Sequence, residues 1–183
     1  VKDAPVGGGT SGFALLFSDR YFVLIGAMLM ILNCENTLGE YLVDRVLQDD
    51  LARHFGQDAD PESVRSAIRE FKSIYFGAFN TLGFVIQLVV TGRVMKRLGA
   101  GGTIVVPPVV SLLGQFMAFL SGITLIPLAV AKVAENALDY SMNSTAKNAL
   151  FLVVPRDAKY KVKVLLDSVV VRLGDVVAGL LVL

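Results

Sequence analysis

A chain of 183 residues with 54% hydrophobic and 18% charged residues is more apolar than a soluble globular domain, in which about 25% are charged; its mean hydropathy is +0.63. The net charge of +1 excludes nucleic-acid binding driven by bulk electrostatics, so no nucleic-acid partner is expected. One cysteine (Cys34) and one histidine (His54) exclude an internal disulfide and a Cys/His zinc cluster, and neither a metal nor a cofactor is expected.

The charges are clustered. None lies between Lys72 and Arg93, or between Arg97 and Lys132. The first gap fits one membrane span of about 20 residues, and the second has room for more than one. The expected fold is therefore an all-α polytopic membrane protein with about five transmembrane helices and the lipid bilayer as a partner, rather than a soluble helical domain with a large core. The first residue is Val1 and the last residues, "VVAGLLVL", stop inside an apolar run, as expected of a piece of a longer protein; no cleavable signal peptide is visible.

In chain order, residues 1–20 begin with "VKDAPVGGGTSG" and read as a Gly-rich cytoplasmic linker. The bundle follows over 21–183. Its first span runs from about Tyr21 to Val46, apolar as far as Leu32 and polar beyond. Residues 47–70 read as an extracytoplasmic loop, with a helix start at Asp60-Pro61-Glu62. A second span covers about Phe71 to Thr91, and "GRVMKRLG" follows as a short loop. The third begins near Thr103, where Pro107-Pro108 delay or kink its start, and ends near Leu120. Ser121-Gly122-Ile123-Thr124 is a tight turn, a fourth span continues to Val154, and a fifth opens near Val162. The basic loops "GRVMKRLG" and "PRDAKYKVK" lie two spans apart, so the positive-inside rule places both in the cytoplasm.

A helix turns about 100° per residue. On the fourth span, Lys132, Glu135, Asn136, Asp139, Tyr140, Asn143 and Lys147 then fall within an arc of roughly 140° on an otherwise apolar helix. Lipid does not tolerate such a stripe, so it faces protein or water. Two readings remain open: buried ion pairs, for example Lys132 with Glu135 or Asp139, or the wall of a solute pathway. The first span carries Asn33, Thr37, Glu40 and Asp44 on one face, with Glu35 roughly opposite. The second adds Ser73, Asn80, Gln87 and Thr91. The fifth presents Asp167, Ser168, Arg172 and Asp175, with Arg172 and Asp175 spaced to pair. Together these faces suggest a shared polar cavity for a small anionic solute. Lysines would meet the anion, and Glu35, Glu40, Glu135 and Asp139 would orient them or take part in proton coupling.

The loop "GRVMKRLG" follows the spacing of the motif G-x-x-x-D-R-x-G of major-facilitator transporters. Gly92, Arg97 and Gly99 match it, Arg93 adds a cation, and Lys96 stands where the motif has Asp. "ENALDYSMNSTAKNALFLVVPRDAKYKVKVLLDSVVVRLGDVVAGLL", with "NTLGEYLVDRVL" in the first span, resembles the ATP/ADP antiporter family of intracellular bacteria and plastids and its relatives in free-living bacteria. That resemblance implies a twelve-helix, major-facilitator-like transporter of the bacterial inner membrane. This chain would supply helices seven to eleven of its C-terminal half, residues 1–20 would join the halves, and the N-terminal half would be a further partner. It implies exchange of nucleotides by alternating access without ATP hydrolysis, and hence no enzyme. Glu40, Asp139 and Lys147 are the charged intramembrane residues it points to. No G-x-x-x-x-G-K-[ST] loop is present, as suits nucleotide carried as cargo. Two alternative functions suit the residues less well: a membrane scaffold or regulator that does not transport, and a membrane-embedded transferase using the acidic residues of 47–70.

Overall fold

The computed structural model describes residues 12–56, 60–154 and 156–183, which are helical nearly throughout and contain no strand. The helices are α1 (Gly12–Ser18), α2 (Arg20–Phe55), α3 (Pro61–Ile86), α4 (Gly92–Thr103), α5 (Val106–Leu120), α6 (Leu125–Leu138), α7 (Ser144–Leu150), α8 (Arg156–Leu165) and α9 (Val171–Val182). Much of the expected linker, residues 1–11, lies outside the described residues, while Gly12–Ser18 is helical.

Two expected loops turn out to be helix. Residues 47–55 continue α2, and 61–70 already belong to α3. Gly56 follows the end of α2, and its φ of 77° suits a residue without Cβ. Charge density misled here, because a helix can continue past a membrane boundary. At 36 residues, α2 is about 54 Å long against a hydrocarbon core of about 30 Å. The Asp60-Pro61-Glu62 start stands where expected. Asp60 is the N-cap, its carboxylate accepting from Ser63 N at 3.1 Å, with Pro61 opening the helix.

"GRVMKRLG" is likewise helical, within α4, and the chain breaks direction only at Gly99, with φ 69° and ψ −178°. That backbone strongly disfavours any residue with a Cβ, which accounts for the second glycine of the motif. Pro107 and Pro108 fall in the first turn of α5, where a missing N–H costs nothing. Residues 121–124 form the turn before α6, with Gly122 and Ile123 both at positive φ.

Three π-helical turns interrupt the helices: Gln87–Thr91 between α3 and α4, Asp139–Asn143 between α6 and α7, and Leu166–Val170 between α8 and α9. In each, a hydroxyl bonds a main-chain carbonyl one turn back: Thr91 to Ile86 (3.1 Å), Ser141 to Ala137 (2.6 Å) and Ser168 to Val164. Such back-bonding competes with the i→i−4 ladder and accommodates a wider turn. Apolar periodicity alone does not register it.

The chain divides into two compact units, with α2 contributing to both. Unit 1 holds residues 12–38 and 151–183 among those described. Its interior includes Phe22, Ile25, Leu29, Phe151, Val162 and Leu166. Gly174 of α9 sits so close to α2 that an added Cβ would lie 2.8 Å from the Met30 carbonyl oxygen. Unit 2, residues 39–150, is organised around α6. Here α5 approaches through Gly114, where an added Cβ would lie 3.0 Å from Ala131 Cβ, and α3 through Gly83, 3.3 Å from the Ala137 carbonyl oxygen. Small residues at these crossings let helix backbones approach closely, the packing used where apolar burial from water supplies no drive.

Among the described residues, two helical runs, Arg20–Phe55 and Pro61–Thr103, are long and apolar enough to cross a membrane. Only 28% and 22% of their apolar windows are buried by the chain itself, so neither behaves as the core helix of a soluble protein. On α5, Leu112, Phe116, Met117, Phe119 and Leu120 are all exposed.

Candidate functional site

The polar residues of unit 2 converge on α6. Lys132 and Glu135, one turn apart, form an ion pair with side chains only 3% and 7% exposed. Of the two acids expected as partners for Lys132, Glu135 is the one it meets. Ser111, on the otherwise apolar α5, donates to Glu135 Oε2 at 2.9 Å, and Gln115 donates to Ser111 Oγ at 3.2 Å. Buried ions persist only where their remaining lone pairs and protons are also satisfied, and Ser111 contributes to that here.

Next to this pair, Glu40 of α2 accepts two hydrogen bonds at one oxygen. Tyr75 Oη donates to Oε1 at 2.8 Å and Asn136 Nδ2 donates to it at 2.7 Å; Asn136 also donates to Tyr75 Oη at 3.1 Å. One turn further along α2, Asp44 pairs with Lys72 of α3, whose ammonium also lies 5.8 Å from the centre of the Phe76 ring. The helix backbone of α2 makes room for the buried cation: a Cβ at Gly39 would lie 2.8 Å from Lys132 Nζ. Gly39, Leu42, Gln115, Ala118, Lys132 and Glu135 border a cavity of about 100 Å³. At about 30 Å³ per water it holds about three molecules, well short of the 300 Å³ or more that enclose a drug-sized ligand.

Of the remaining stripe residues, Asp139, Tyr140 and Asn143 lie within the π turn and Lys147 beyond it. Asp139 is exposed and accepts from Asn143 Nδ2; the exposed Tyr140 stacks on Phe79 with centroids 5.7 Å apart. Asn143 is buried and its Oδ1 has no donor. The orientation of this amide is fixed, because its NH2 must face the Asp139 carboxylate. Lys147 is half-buried on α7, which packs against α4. The seven residues therefore do not form one continuous wall: Lys132, Glu135 and Asn136 join the buried network, and Asp139 and Tyr140 stay on the surface. The arc assumed a regular helix, and the π turn breaks that regularity.

In unit 1 the first-span stripe meets α9 instead. Asp175 Oδ1 accepts from Asn33 Nδ2 at 2.7 Å and from Thr37 Oγ1 at 2.8 Å, and its Oδ2 lies 3.4 Å from Arg172 Nη1. Asn33 also donates to the Val171 carbonyl at 2.8 Å. The expected Arg172–Asp175 pair thus forms, with Arg172 exposed. Glu35 is half-buried and Asp167 exposed. Of the second-span row, Ser73 and Asn80 are exposed, and Gln87, which opens the Gln87–Thr91 π turn, bonds Thr145 of α7 at 3.3 Å. Of the loop motif, Gly92 and Arg97 are exposed within α4, and Arg93 donates to the Val89 carbonyl.

Tyr75, Ser111, Gln115, Lys72 and Gly39 were not singled out from the sequence. Tyr75 lies out of phase with the Ser73–Asn80 row, and Ser111 and Gln115 are the only strongly polar side chains within α5. The signal available for them was their isolation in apolar surroundings, which marks a buried polar group needing a partner.

Comparison with profiles of known families, with curated proteins and with solved structures finds no match.

Proposed function

We propose that the chain is part of a membrane transporter that exchanges nucleotides of the ATP/ADP type, or a related organic anion, by alternating access. On this reading it supplies about five spans of a major-facilitator-like C-terminal half in the bacterial inner membrane. The observation that carries the proposal is a polar network inside helices whose outer faces are apolar: Tyr75, Ser111, Lys132, Glu135 and Asn136 are buried, and Glu40 is half-buried beside them. Ionisable groups in such helices default to a solute or ion pathway. Asp139 and Tyr140 on the surface, and the unsatisfied Asn143 Oδ1 beneath them, suit a face completed by the other half of the transporter and its solute. An unmet buried acceptor costs about 1–3 kcal/mol, which a bound donor would offset.

Arg93, Lys96 and Arg97 in α4 have no acid among them, whereas at the α3 end Arg69 pairs with Glu62 and Lys72 with Asp44; the unmatched cations support a cytoplasmic α4 end. Nucleotide is then cargo, moved without hydrolysis.

The test is uptake of labelled ATP, ADP and other phosphorylated solutes by cells expressing the full-length protein. Saturable uptake, lost in Lys147→Ala and Asp139→Ala, is expected. Absence of any uptake, with the protein verified in the membrane, overturns the proposal; full biological effect in both variants would favour a non-transporting scaffold.

A further inference from the structure

We propose that the cationic face of α4, formed by Arg93, Lys96 and Arg97, is a binding site for the headgroup of an anionic phospholipid of the phosphatidylglycerol class. The inference rests on the membrane-spanning reading of the α3–α4 run, and on no transported solute.

Spacing gathers the cations on one side. At about 100° per residue, Arg93, Lys96 and Arg97 fall within an arc of about 100° on α4, and all of them are exposed. The half-buried residues of the same stretch, Val94 and Met95, lie off that arc, and α4 packs against α7. No acidic residue occurs in the sequence between Glu70 and Glu135, and none of these cations forms an ion pair among the described residues. Arg93 donates to the Val89 carbonyl, which leaves further guanidinium donors for an outside acceptor. The surroundings are open: a Cβ added at Gly92, Gly99 or Gly101 would meet nothing within 4 Å.

Depth decides what such a face meets. Residues 73–92 carry no charge and make about 30 Å of helix, which matches a hydrocarbon core of about 30 Å. Lys72 closes one end of this stretch, paired with Asp44, and Arg93 opens the other without an acid. The α4 cations therefore stand at the level of the lipid phosphates. Val85, Val89, Arg93 and Arg97 follow one another at four-residue intervals, all exposed, so a single row runs from apolar to cationic. A phospholipid has the same order, acyl chain and then phosphate. Its phosphodiester offers acceptor oxygens to two arginine forks one turn apart, and Lys96 adds a point charge beside them. A soluble anion would match the cations but leave Val85 and Val89 uncovered. Phosphatidylcholine brings its own quaternary ammonium, which these cations repel.

The test is a lipid titration of the full-length protein in neutral detergent, with bound lipids counted by native mass spectrometry. Phosphatidylglycerol should bind in preference to phosphatidylcholine. The triple variant Arg93→Gln, Lys96→Gln, Arg97→Gln should bind it about a hundredfold more weakly, each cation near an anionic surface contributing about fivefold. Arg65→Gln, which removes an exposed cation near the start of α3, should leave the preference unchanged. In lipid-free detergent the triple variant should unfold at the wild-type midpoint, and added phosphatidylglycerol should raise the midpoint of the wild type alone. Undiminished phosphatidylglycerol binding by the triple variant overturns the proposal. So does wild-type binding without preference between the two lipids, the result expected if another protein segment covers the face. Displacement of the lipid by inorganic phosphate at comparable concentration would make this a free-anion site and overturn the lipid assignment. Recovery of the protein in the membrane fraction checks the membrane reading separately, and no uptake enters any of these measurements.

Discussion

Lys132-x-x-Glu135 and Arg172-x-x-Asp175 are the same local pattern, a cation and an acid one helical turn apart. The first pair is buried in unit 2 at 3% and 7% exposure; the second, in unit 1, leaves Arg172 82% exposed and its ions 3.4 Å apart. The environments differ more than the residues do. Around Lys132, α2 offers Gly39, and α5 offers Ser111 to the acid, so both ions lose water. Around Asp175 the neutral Asn33 and Thr37 satisfy the carboxylate, and the arginine is an optional third partner. Removing one ion from a buried pair strands the other, whereas removing an exposed ion mainly returns a site to solvent.

The sharpest test of that contrast is Lys132→Met. It leaves Glu135 as a buried carboxylate without its cation and should destabilise the protein by about 3–5 kcal/mol, read as a lower unfolding midpoint in detergent. Adding Glu135→Leu should restore most of that stability while uptake stays lost; a double variant no more stable than the single would contradict the account. A smaller effect is expected at Gly39→Ala. The new methyl meets the Lys132 ammonium and must push it from its place, at about 1–3 kcal/mol, and the Lys132→Met background should largely relieve the cost. Arg172→Ala should cost at most about 1 kcal/mol and change little in the midpoint, since Asn33 and Thr37 still hold Asp175. An effect as large as that of Lys132→Met would erase the distinction between the two pairs.

The smallest effect concerns Asp60, a carboxylate held by hydrogen bonds alone at the exposed start of α3. The Ser63 hydroxyl, then the Ser63 and Glu62 main-chain N–H groups, hold its carboxyl below the ordinary range. A lowered folded-state value means the capping contribution is complete above the unfolded value and is lost as pH falls through the folded one. Hydrogen exchange at Ser63 and Val64 should therefore quicken in acid and in Asp60→Ala, with the rest of α3 unchanged.

Much of this architecture was legible beforehand. Long uncharged gaps, the Asp60-Pro61 start, the turn at 121–124 and the prolines opening α5 are all local signals, set by hydropathy or by backbone chemistry. Around 47–70 and 92–99 charge density marks where a helix leaves apolar surroundings, not where it ends, so α2, α3 and α4 run on through these charged stretches. The site was half legible. Its residues on α2 and α6 stood out as charges in apolar runs, but Tyr75 and Ser111 are ordinary residues until the fold brings them to Glu40 and Glu135.

The sequence by itself determined helices, their apolar faces and which charges needed shelter, because these follow from residue chemistry and a period of 3.6. Only the tertiary structure decided that Lys132 is buried and Arg172 exposed, that Asn143 lies in a π turn while Asn136 lies on the regular helix before it, and that Tyr75 and Asn136 meet at Glu40. Those outcomes depend on what a neighbouring helix presents at the point of contact, and no spacing along one helix encodes that.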